Sequence, residues 1–263
     1  MHARRAAWHA LRAAWRALRV VLHLLHGMAI VAFVFPRLDA AGRQARIAWW
    51  SAGLLAALGV RLRAAGVYRP GATLLVINHI SWLDIAAVHA VCPRARFVSK
   101  ADVRHWPLLG WLIGAVGTLF IERERKRDAL RVVHQMAEAL DAGDTVAVFP
   151  EGTTGDGRTL LPFHANLLQA AIATGTPVQP VVLRYSEPGY DVSPTVTWLG
   201  ATTLVHSIWH IAGARGLEVH VRALDARGST HADRRALAQR LRQDIAAGLE
   251  PAAGAATADQ ALP

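Results

Sequence analysis

The sequence predicts an α/β domain with a mixed, mainly parallel sheet flanked by helices, preceded by an N-terminal helical hairpin that docks on a membrane. Short apolar or β-branched runs alternate with amphipathic helical patterns from Thr73 onward, as strands joined by crossover helices do. Two apolar helical segments with basic flanks come before them. The 263 residues are 53% hydrophobic with a mean hydropathy of +0.24, which is high for a soluble protein.

Residues 1–62 are predicted to form the membrane-associating part. One helical stripe of the first segment is apolar and tryptophan-bearing, with arginines elsewhere, as in helices that lie in the bilayer interface; the stripe consists of Trp8, Leu11, Trp15 and Leu18. The apolar runs Val20–Phe35 and Ile47–Val60 are shorter than the ~20 residues that span a bilayer. A monotopic hairpin is favoured, with a single spanning helix or a cleaved signal peptide as alternatives.

Residues 63–250 are predicted to form the α/β domain, and the tail 251–263 to be disordered. Helices are expected over Asp128–Gly143, Phe163–Gly175 and His231–Gly248. Seven strands are expected, at Thr73–Ile77, Arg96–Ser99, Thr118–Ile121, Thr145–Phe149, Val178–Arg184, Val196–Leu199 and Glu218–Ala223.

Charge and cysteine content narrow the partners and the compartment. Lys and Arg number 29 against 19 Asp and Glu, a net charge of +10 that suits an anionic bilayer or nucleic acid. The apolar composition favours the bilayer, and no nucleic-acid motif or aromatic platform is present. The single cysteine, Cys92, permits no intrachain disulfide, which favours a cytoplasmic location.

The stretch Asn78–Asp84 separates a predicted strand from a predicted helix and supports two interpretations. In the first, Ser81 caps the helix and Asp84 completes the cap three residues later. In the second, Asp84 reaches back to the His79 ring and fixes its tautomer, so that the other ring nitrogen can take a proton from a hydroxyl. Only the second interpretation accounts for His79.

Other candidate residues follow the ends of later strands. Glu151, Gly152 and Thr153 follow a strand, where α/β sheets bind ligands, and the amides of Gly152 and Thr153 are candidate oxyanion donors; an ordinary glycine-rich turn is the alternative. Lys100 and Arg123 also stand at strand ends. Pro180 within an apolar strand predicts a sheet edge or a bulge.

Together these segments resemble the PlsC-type glycerophospholipid acyltransferases (1-acylglycerol-3-phosphate O-acyltransferases). Four blocks typical of that family occur in order between about residues 70 and 185. They are Asn78, His79 and Asp84; Gly117, Phe120, Ile121 and Arg123; Phe149 to Thr153; and Val178, Pro180 and Val181. The resemblance implies the glycerol-3-phosphate-acyltransferase-like fold and an N-terminal membrane-docking helix pair.

The resemblance also implies a reaction and roles for the residues. His79 would be the general base on an acceptor hydroxyl, oriented by Asp84, and the hydroxyl would attack an acyl carrier protein or coenzyme A thioester without a covalent acyl-enzyme. The resemblance implies that the acceptor is bound by Lys100, Arg123, Glu151, Gly152 and Thr153. It implies that the acyl donor is bound by Val178 and Pro180. No metal and no cofactor besides the acyl donor are expected.

The expected acceptor is a lysophospholipid of the 1-acylglycerol-3-phosphate type, giving phosphatidic acid at the cytoplasmic face of the inner membrane. Phosphatidate-forming members usually carry an arginine where this sequence has Thr154. The stretch from Phe149 to Gly157, together with the downstream stretch from Trp198 to Gly213, also resembles members that acylate lyso-ornithine lipid, so this acceptor is the alternative. A catalytically idle lipid-binding membrane protein is the non-enzymatic alternative.

Overall fold

The structure is a computed structural model that describes residues 2–106, 108–121 and 126–250, of which residues 2–6, 100, 121 and 126–129 are described by their backbone alone. The strands are β1 Arg61–Ala65, β2 Thr73–Ile77, β3 Ala95–Lys100, β4 Leu119–Ile121, β5 Thr145–Val148, β6 Val178–Ser186 and β7 Glu218–Ala223. The α-helices are α1 His2–Ala29, α2 Ala40–Leu58, α3 Asp84–Val91, α4 Leu109–Ala115, α5 Lys126–Asp141, α6 Gln169–Thr174, α7 Leu204–Gly213 and α8 Arg234–Leu249.

The strands form one sheet in the order β1-β7-β6-β2-β5-β3-β4. The β6–β7 pair is antiparallel and every other neighbouring pair is parallel. The predicted mixed, mainly parallel sheet is therefore confirmed. The central strands read as continuous apolar runs because both faces of the sheet are covered; all five residues of β2 are buried.

Alternate residues of the strands enter two separate cores. Leu75, Ile77 and Leu183 face one core together with α1, α2, α3 and α7. Leu74, Val76 and Val182 face the other, together with α5, α6 and α8. The result is a three-layer α/β/α domain, and the helical hairpin packs on the same side of the sheet as α3.

The N-terminal hairpin consists of α1 and α2. The predicted amphipathic and apolar segments form a single helix, continued by a π-helical turn at Ile30–Val34 and a 3₁₀ turn at Phe35–Arg37. The side chain of Asp39 accepts a hydrogen bond from the Gly42 amide, so α2 begins earlier than the apolar run and includes most of the polar segment between the two predicted helices.

Reciprocal hydrogen bonds join the two helices of the hairpin. The His23 ring bonds to the Trp50 carbonyl at 2.8 Å, and the Trp50 indole donates to the His23 carbonyl at 3.1 Å. These polar groups therefore satisfy one another inside an apolar hairpin.

Helix α1 is fastened to α7 by arginines. Arg12 donates to the Gly213 carbonyl at 2.9 Å, and Arg16 donates to the carbonyls of Ala212 and Ala214 at 3.1 and 2.7 Å. Cations at the carboxyl end of a helix satisfy its last carbonyls and the helix dipole. A neighbouring stripe of α1 is exposed: it carries Trp8, Leu11, Trp15, Leu18, Leu22 and Leu25.

Among the described residues, one helical stretch, Ala7–Arg37, is long and apolar enough to cross a membrane. Only 22% of its apolar window is buried against the rest of the chain. Its apolar surface is thus largely available to a bilayer, whether the helix spans the bilayer or lies in it.

The set of strands predicted from the sequence needs correction at two places. Residues 196–199 are not a strand: the Trp198 amide donates to the Ile80 carbonyl at 3.2 Å, so this apolar segment lies in a loop above the end of β2. Strand β1 was not predicted, because Arg61 and Arg63 leave its segment without an apolar pattern typical of a strand. It is a solvent-facing edge strand, and both arginines pair with Glu218. The predicted boundary after residue 62 falls inside this strand, and residues 251–263 lie outside the described part.

Pro180 lies in a central strand and not at an edge. Between the pairs Val181↔Ala223 and Val178↔Arg227, β6 advances by three residues and the opposing segment by four. The extra residue forms a bulge opposite Pro180. The ladder is already interrupted at a bulge, so the N–H that proline lacks costs the sheet no hydrogen bond. Of the two sequence alternatives, the bulge is confirmed and the edge is wrong.

Candidate active site

His79 and Asp84 form a hydrogen-bonded pair at the carboxyl end of β2. The distance from His79 Nδ1 to Asp84 Oδ2 is 2.8 Å; Asp84 is fully buried, and the His79 side chain is 17% exposed. An ionised carboxylate only accepts hydrogen bonds, so the hydrogen lies on Nδ1 and the neutral ring keeps an acceptor at Nε2. Within the described part of the chain, Nε2 has no hydrogen-bond partner.

Three further donors surround the Asp84 carboxylate. Oδ2 accepts from the amides of Ile80 and Ser81 at 2.7 and 2.9 Å, and Oδ1 accepts from the Tyr185 hydroxyl at 2.8 Å. Four donors fix the position of the group that orients His79.

The predicted capping role of Ser81 is wrong. Helix α3 begins at Asp84, and the Ser81 hydroxyl is buried without a hydrogen-bond partner among the described residues. The carboxylate of Asp84 instead accepts from the amides of Ile80 and Ser81 in the turn before α3, so one side chain closes this turn and orients His79. Of the two sequence interpretations, the geometry favours the one in which Asp84 reaches the His79 ring.

Asn78 holds the end of β2 against β6. Its side-chain nitrogen donates to the Leu183 carbonyl at 2.9 Å, and its side-chain oxygen accepts from the Leu183 amide at 2.7 Å. The side chain thereby continues the β2–β6 ladder beyond the last backbone pair, Ile77↔Val181. This fixes the direction in which the chain leaves the strand just before His79.

Phe149 supports the imidazole from one face. The two ring centroids are 3.9 Å apart with an interplanar angle of 11°, and Phe97 stacks on the other side of Phe149 at 5.4 Å. The stack fixes the plane of the His79 ring.

Glu151 contacts His79 through the backbone. Oε1 accepts from the His79 amide at 2.8 Å and Oε2 from the Leu161 amide at 2.9 Å, with the residue 5% exposed. Burial raises the pKa of this carboxyl, while the two amide donors oppose the shift. Glu151 thus ties the loop after β5 to the residue that carries the imidazole.

The remaining residues of this loop are placed differently. Gly152 adopts φ 72° in the turn, and its amide donates to the Phe149 carbonyl at 3.1 Å, so this amide is committed to the turn and not to an oxyanion. Thr153 is exposed. Thr154 donates its hydroxyl to the Trp198 carbonyl.

The loop 193–203 is held over the site by the turn that follows β2 and carries His79. The Trp198 amide binds the Ile80 carbonyl, and the Gly155 amide donates to the His79 carbonyl at 2.7 Å. On the other side, the Trp82 indole donates to the Ser207 hydroxyl of α7 at 3.0 Å.

The structure does not bring every predicted site residue to His79. Val178 pairs with Leu74, five residues before His79, and is buried in the core on the far side of the sheet; Pro180 is level with Val76. Lys100 ends β3, but its side chain lies outside the described part, as does Arg123.

Tyr185, Phe149 and Trp198 were not assigned roles from the sequence. The sequence offered only a partial signal for Tyr185: it directly follows the predicted strand Val178–Arg184, and a tyrosine hydroxyl that becomes buried there needs a partner. Phe149 opens the third of the four sequence blocks, but neither it nor Trp198 carried a signal for a contact at the site, because aromatic residues in a core are common.

The fold and the site define a class: α/β proteins with an oriented histidine–carboxylate pair at the carboxyl edge of a mainly parallel sheet. Comparison with known proteins narrows the class. A sequence model of the family described as Acyltransferase matches residues 62–184.

Curated relatives and a solved structure agree with this match. A lyso-ornithine lipid O-acyltransferase of Pseudomonas aeruginosa is 38% identical over 204 residues, 77% of this chain and 78% of that protein. A 1-acyl-sn-glycerol-3-phosphate acyltransferase of Neisseria meningitidis is 36% identical over 200 residues, 74% and 77% of the two chains. The crystal structure of PlsC from Thermotoga maritima, at 18% identity, has a TM-score of 0.71 over 93% of this chain and 96% of that one, which shows the shared fold.

The chain belongs to the acyltransferase family. The resemblance inferred from the four sequence blocks and the predicted fold class are both confirmed.

Proposed function

We propose that this chain is a membrane-associated lysolipid O-acyltransferase in which His79 is the general base. The observation that carries the proposal is the 2.8 Å bond from His79 Nδ1 to the buried Asp84, which leaves Nε2 as an acceptor at the edge of the sheet. The acceptor lipid brings its own hydroxyl, so the chain needs no nucleophile of its own.

In this mechanism the acceptor hydroxyl gives its proton to Nε2 while its oxygen bonds to the thioester carbonyl carbon. Collapse of the tetrahedral intermediate breaks the carbon–sulfur bond, and the imidazolium returns the proton to the departing thiolate. The products are an ester and a free thiol, on acyl carrier protein or coenzyme A. Asp84 stabilises the imidazolium between the two proton transfers, and the Phe149 stack fixes the ring plane.

Two acceptors are supported. The 38% identity to a lyso-ornithine lipid O-acyltransferase favours a lyso-ornithine lipid. Thr154 adds support, because its hydroxyl is committed to the Trp198 carbonyl and offers no cation to a phosphate. The 36% identity to the Neisseria relative favours lysophosphatidate.

Association with the membrane is proposed through α1. Its exposed stripe of tryptophans and leucines is the kind of surface that enters the headgroup region, and the net charge of +10 suits anionic lipid. The arginines ahead of Val20 favour the cytoplasmic face.

The test is an acceptor panel. Purified protein in mixed micelles receives acyl carrier protein or coenzyme A carrying a labelled acyl chain, with lyso-ornithine lipid or lysophosphatidate. We expect the wild type to form a two-chain lipid and His79→Ala to lose at least about 10³-fold in rate, as loss of a general base does. His134→Ala, at an exposed position on α5, is the matched control and should keep the wild-type rate.

Absence of product with every acceptor and donor would overturn the proposed function. A His79→Ala variant that is as active as His134→Ala would overturn the assignment of the base alone.

A further inference from the structure

We propose that Tyr185 is the third member of the His79–Asp84 unit, a positioning residue that sets the orientation and basicity of His79 through Asp84. The geometry of the site carries this inference, and only its kinetic test rests on the proposed function. Tyr185 is 0% exposed, and its hydroxyl donates to Asp84 Oδ1 at 2.8 Å.

The two carboxylate oxygens of Asp84 are held by different parts of the fold. Oδ2 receives the His79 ring and the two turn amides, all from the segment just before α3. Among the described residues, Oδ1 receives the Tyr185 hydroxyl alone, from β6. Without that donor, the carboxylate would be held from one side only.

Strand β6 is a rigid support for this donor. It lies between β2 and β7, and its Leu183, two residues before Tyr185, exchanges two hydrogen bonds with Asn78 at the start of the catalytic turn. The Tyr185 hydroxyl is therefore placed by the same ladder that places His79.

Tyr185 acts as a donor and not as an anion. Burial raises the pKa of Tyr185 well above its usual value, and the charge of Asp84 raises it further. Among the described residues, the groups that contact the His79 ring and backbone are Asp84 from α3, Glu151 from the loop after β5, and the neutral Phe149 ring. Of these groups, the Asp84 carboxylate acts most strongly on the His79 imidazolium. Tyr185 weakens that effect, since its hydrogen bond draws charge density from the carboxylate that would stabilise the imidazolium.

The experiment compares Tyr185→Phe with Tyr68→Phe in the full-length protein. Both residues pack in the same core, and the Tyr68 hydroxyl is buried with no hydrogen-bond partner in the described part of the chain, so its removal is a matched loss of one buried hydroxyl. Rates are measured with the acceptor and donor that the panel identifies, as kcat, KM and the pH profile of kcat/KM.

We expect Tyr185→Phe to lower kcat by about 10- to 100-fold with KM unchanged, as loss of one hydrogen bond to a charged group would. The acid limb of the profile should move to higher pH, because Asp84 then stabilises the His79 imidazolium more strongly. Tyr68→Phe should change neither quantity. A Tyr185→Phe variant with the kcat and the pH profile of Tyr68→Phe would overturn the inference.

Replacing Tyr185 by 3-fluorotyrosine keeps the hydroxyl and the fold while making the phenol a stronger donor, and it should move the acid limb to lower pH. The imidazole pKa of His79 should follow the same order, highest in Tyr185→Phe, intermediate in the wild type and lowest in the fluorotyrosine protein. It is read by nuclear magnetic resonance of ¹³C-labelled histidine, and the His79 signal is assigned by comparison with His79→Gln. This readout needs no turnover: if the wild type proves inactive, the proposed function fails while the inference about Tyr185 is still tested. An unchanged His79 titration in the fluorotyrosine protein would refute it.

Discussion

At the scale of single residues, the site is organised around the carboxylate of Asp84. It ends the turn, starts α3 and orients His79, and the four donors around it come from two places in the sequence, residues 79–81 and Tyr185. The His79–Asp84 pair could be predicted from its spacing, because the first turn of a helix points its side chains backward. Tyr185, a hundred and one positions later, becomes a neighbour only through the sheet order.

Replacing Asp84 with Asn should separate its structural and catalytic roles. The amide oxygen can still accept from the two turn amides, and the amide nitrogen can donate to the Tyr185 oxygen, so we expect a melting temperature within a few degrees of wild type. The negative charge that stabilises the imidazolium is lost, so kcat should fall by about 10³- to 10⁴-fold. Differential scanning fluorimetry and the acyl-transfer assay measure the two effects. Equal collapse of stability and rate would show that Asp84 serves the fold alone.

Glu151 shows a different limit of sequence reasoning. The family resemblance assigned it to acceptor binding, yet both of its oxygens are occupied by the amides of His79 and Leu161. A strand-end acid in a motif can hold a backbone as well as a ligand, and the sequence does not reveal which amides will face it.

At the scale of elements, strands with a buried apolar face were predictable, β7 with its second, polar face included, whereas the exposed edge strand was not. The buried β2 and β5 matched their predicted spans closely. Edge strand β1 has the sequence Arg-Leu-Arg-Ala-Ala and carried no signal, whereas the apolar segment 196–199 had a strand-like composition but no sheet neighbour. Hydrogen-bond partners, which decide between strand and loop, are set by the tertiary fold.

The junction of α3 and β3 should make stability depend on pH. His89 is fully buried with its ring hydrogen-bonded to the Ala95 carbonyl at 2.9 Å, and burial lowers its pKa to about 4. Its usual value is 6.5. Because the folded state disfavours the charged ring, the contribution of His89 is complete above the usual value and is lost as pH falls from 6.5 toward 4, by up to about 3 kcal/mol.

Chemical unfolding in mild detergent at pH 7 and at pH 4.5 measures this loss. The wild type should lose more unfolding free energy between these pH values than His89→Gln, which keeps a donor for the Ala95 carbonyl but does not titrate. His134→Gln, an exposed control, should follow the wild type. Identical pH dependence of wild type and His89→Gln would contradict the prediction.

At the scale of the whole molecule, the hairpin gives the domain one apolar side. Arg12 and Arg16 fasten the polar side of α1 to α7, which leaves the tryptophan-bearing stripe exposed. The sequence predicted the stripe but not the use of the two arginines, since a basic residue on an amphipathic helix can face lipid headgroups or a neighbouring helix end equally well. The composition of α1 alone therefore does not predict which of these two partners its arginines contact.

A charge placed on the stripe should weaken binding to a bilayer. Leu11 is 63% exposed on α1, and Leu130 is 73% exposed on α5, across the sheet. Leu11→Asp should lower the partition coefficient into phosphatidylglycerol-containing vesicles by about 10- to 100-fold, the equivalent of about 1.5–3 kcal/mol for one leucine withdrawn from lipid. Leu130→Asp should partition like the wild type in the same sedimentation assay. Equal partitioning of both variants would place the bilayer contact elsewhere.

The hydrogen bond between Trp82 and Ser207 has a consequence for the geometry of catalysis. It connects the turn that carries His79 to α7, the helix on which α1 is fastened. If α1 rests in the headgroup layer as proposed, these contacts would hold the imidazole at a fixed height above the bilayer, set by the dimensions of the protein. A lysolipid presents its hydroxyl at a depth set by its own headgroup and backbone, so this fixed height would act as a ruler that admits lipids whose hydroxyl reaches the same level.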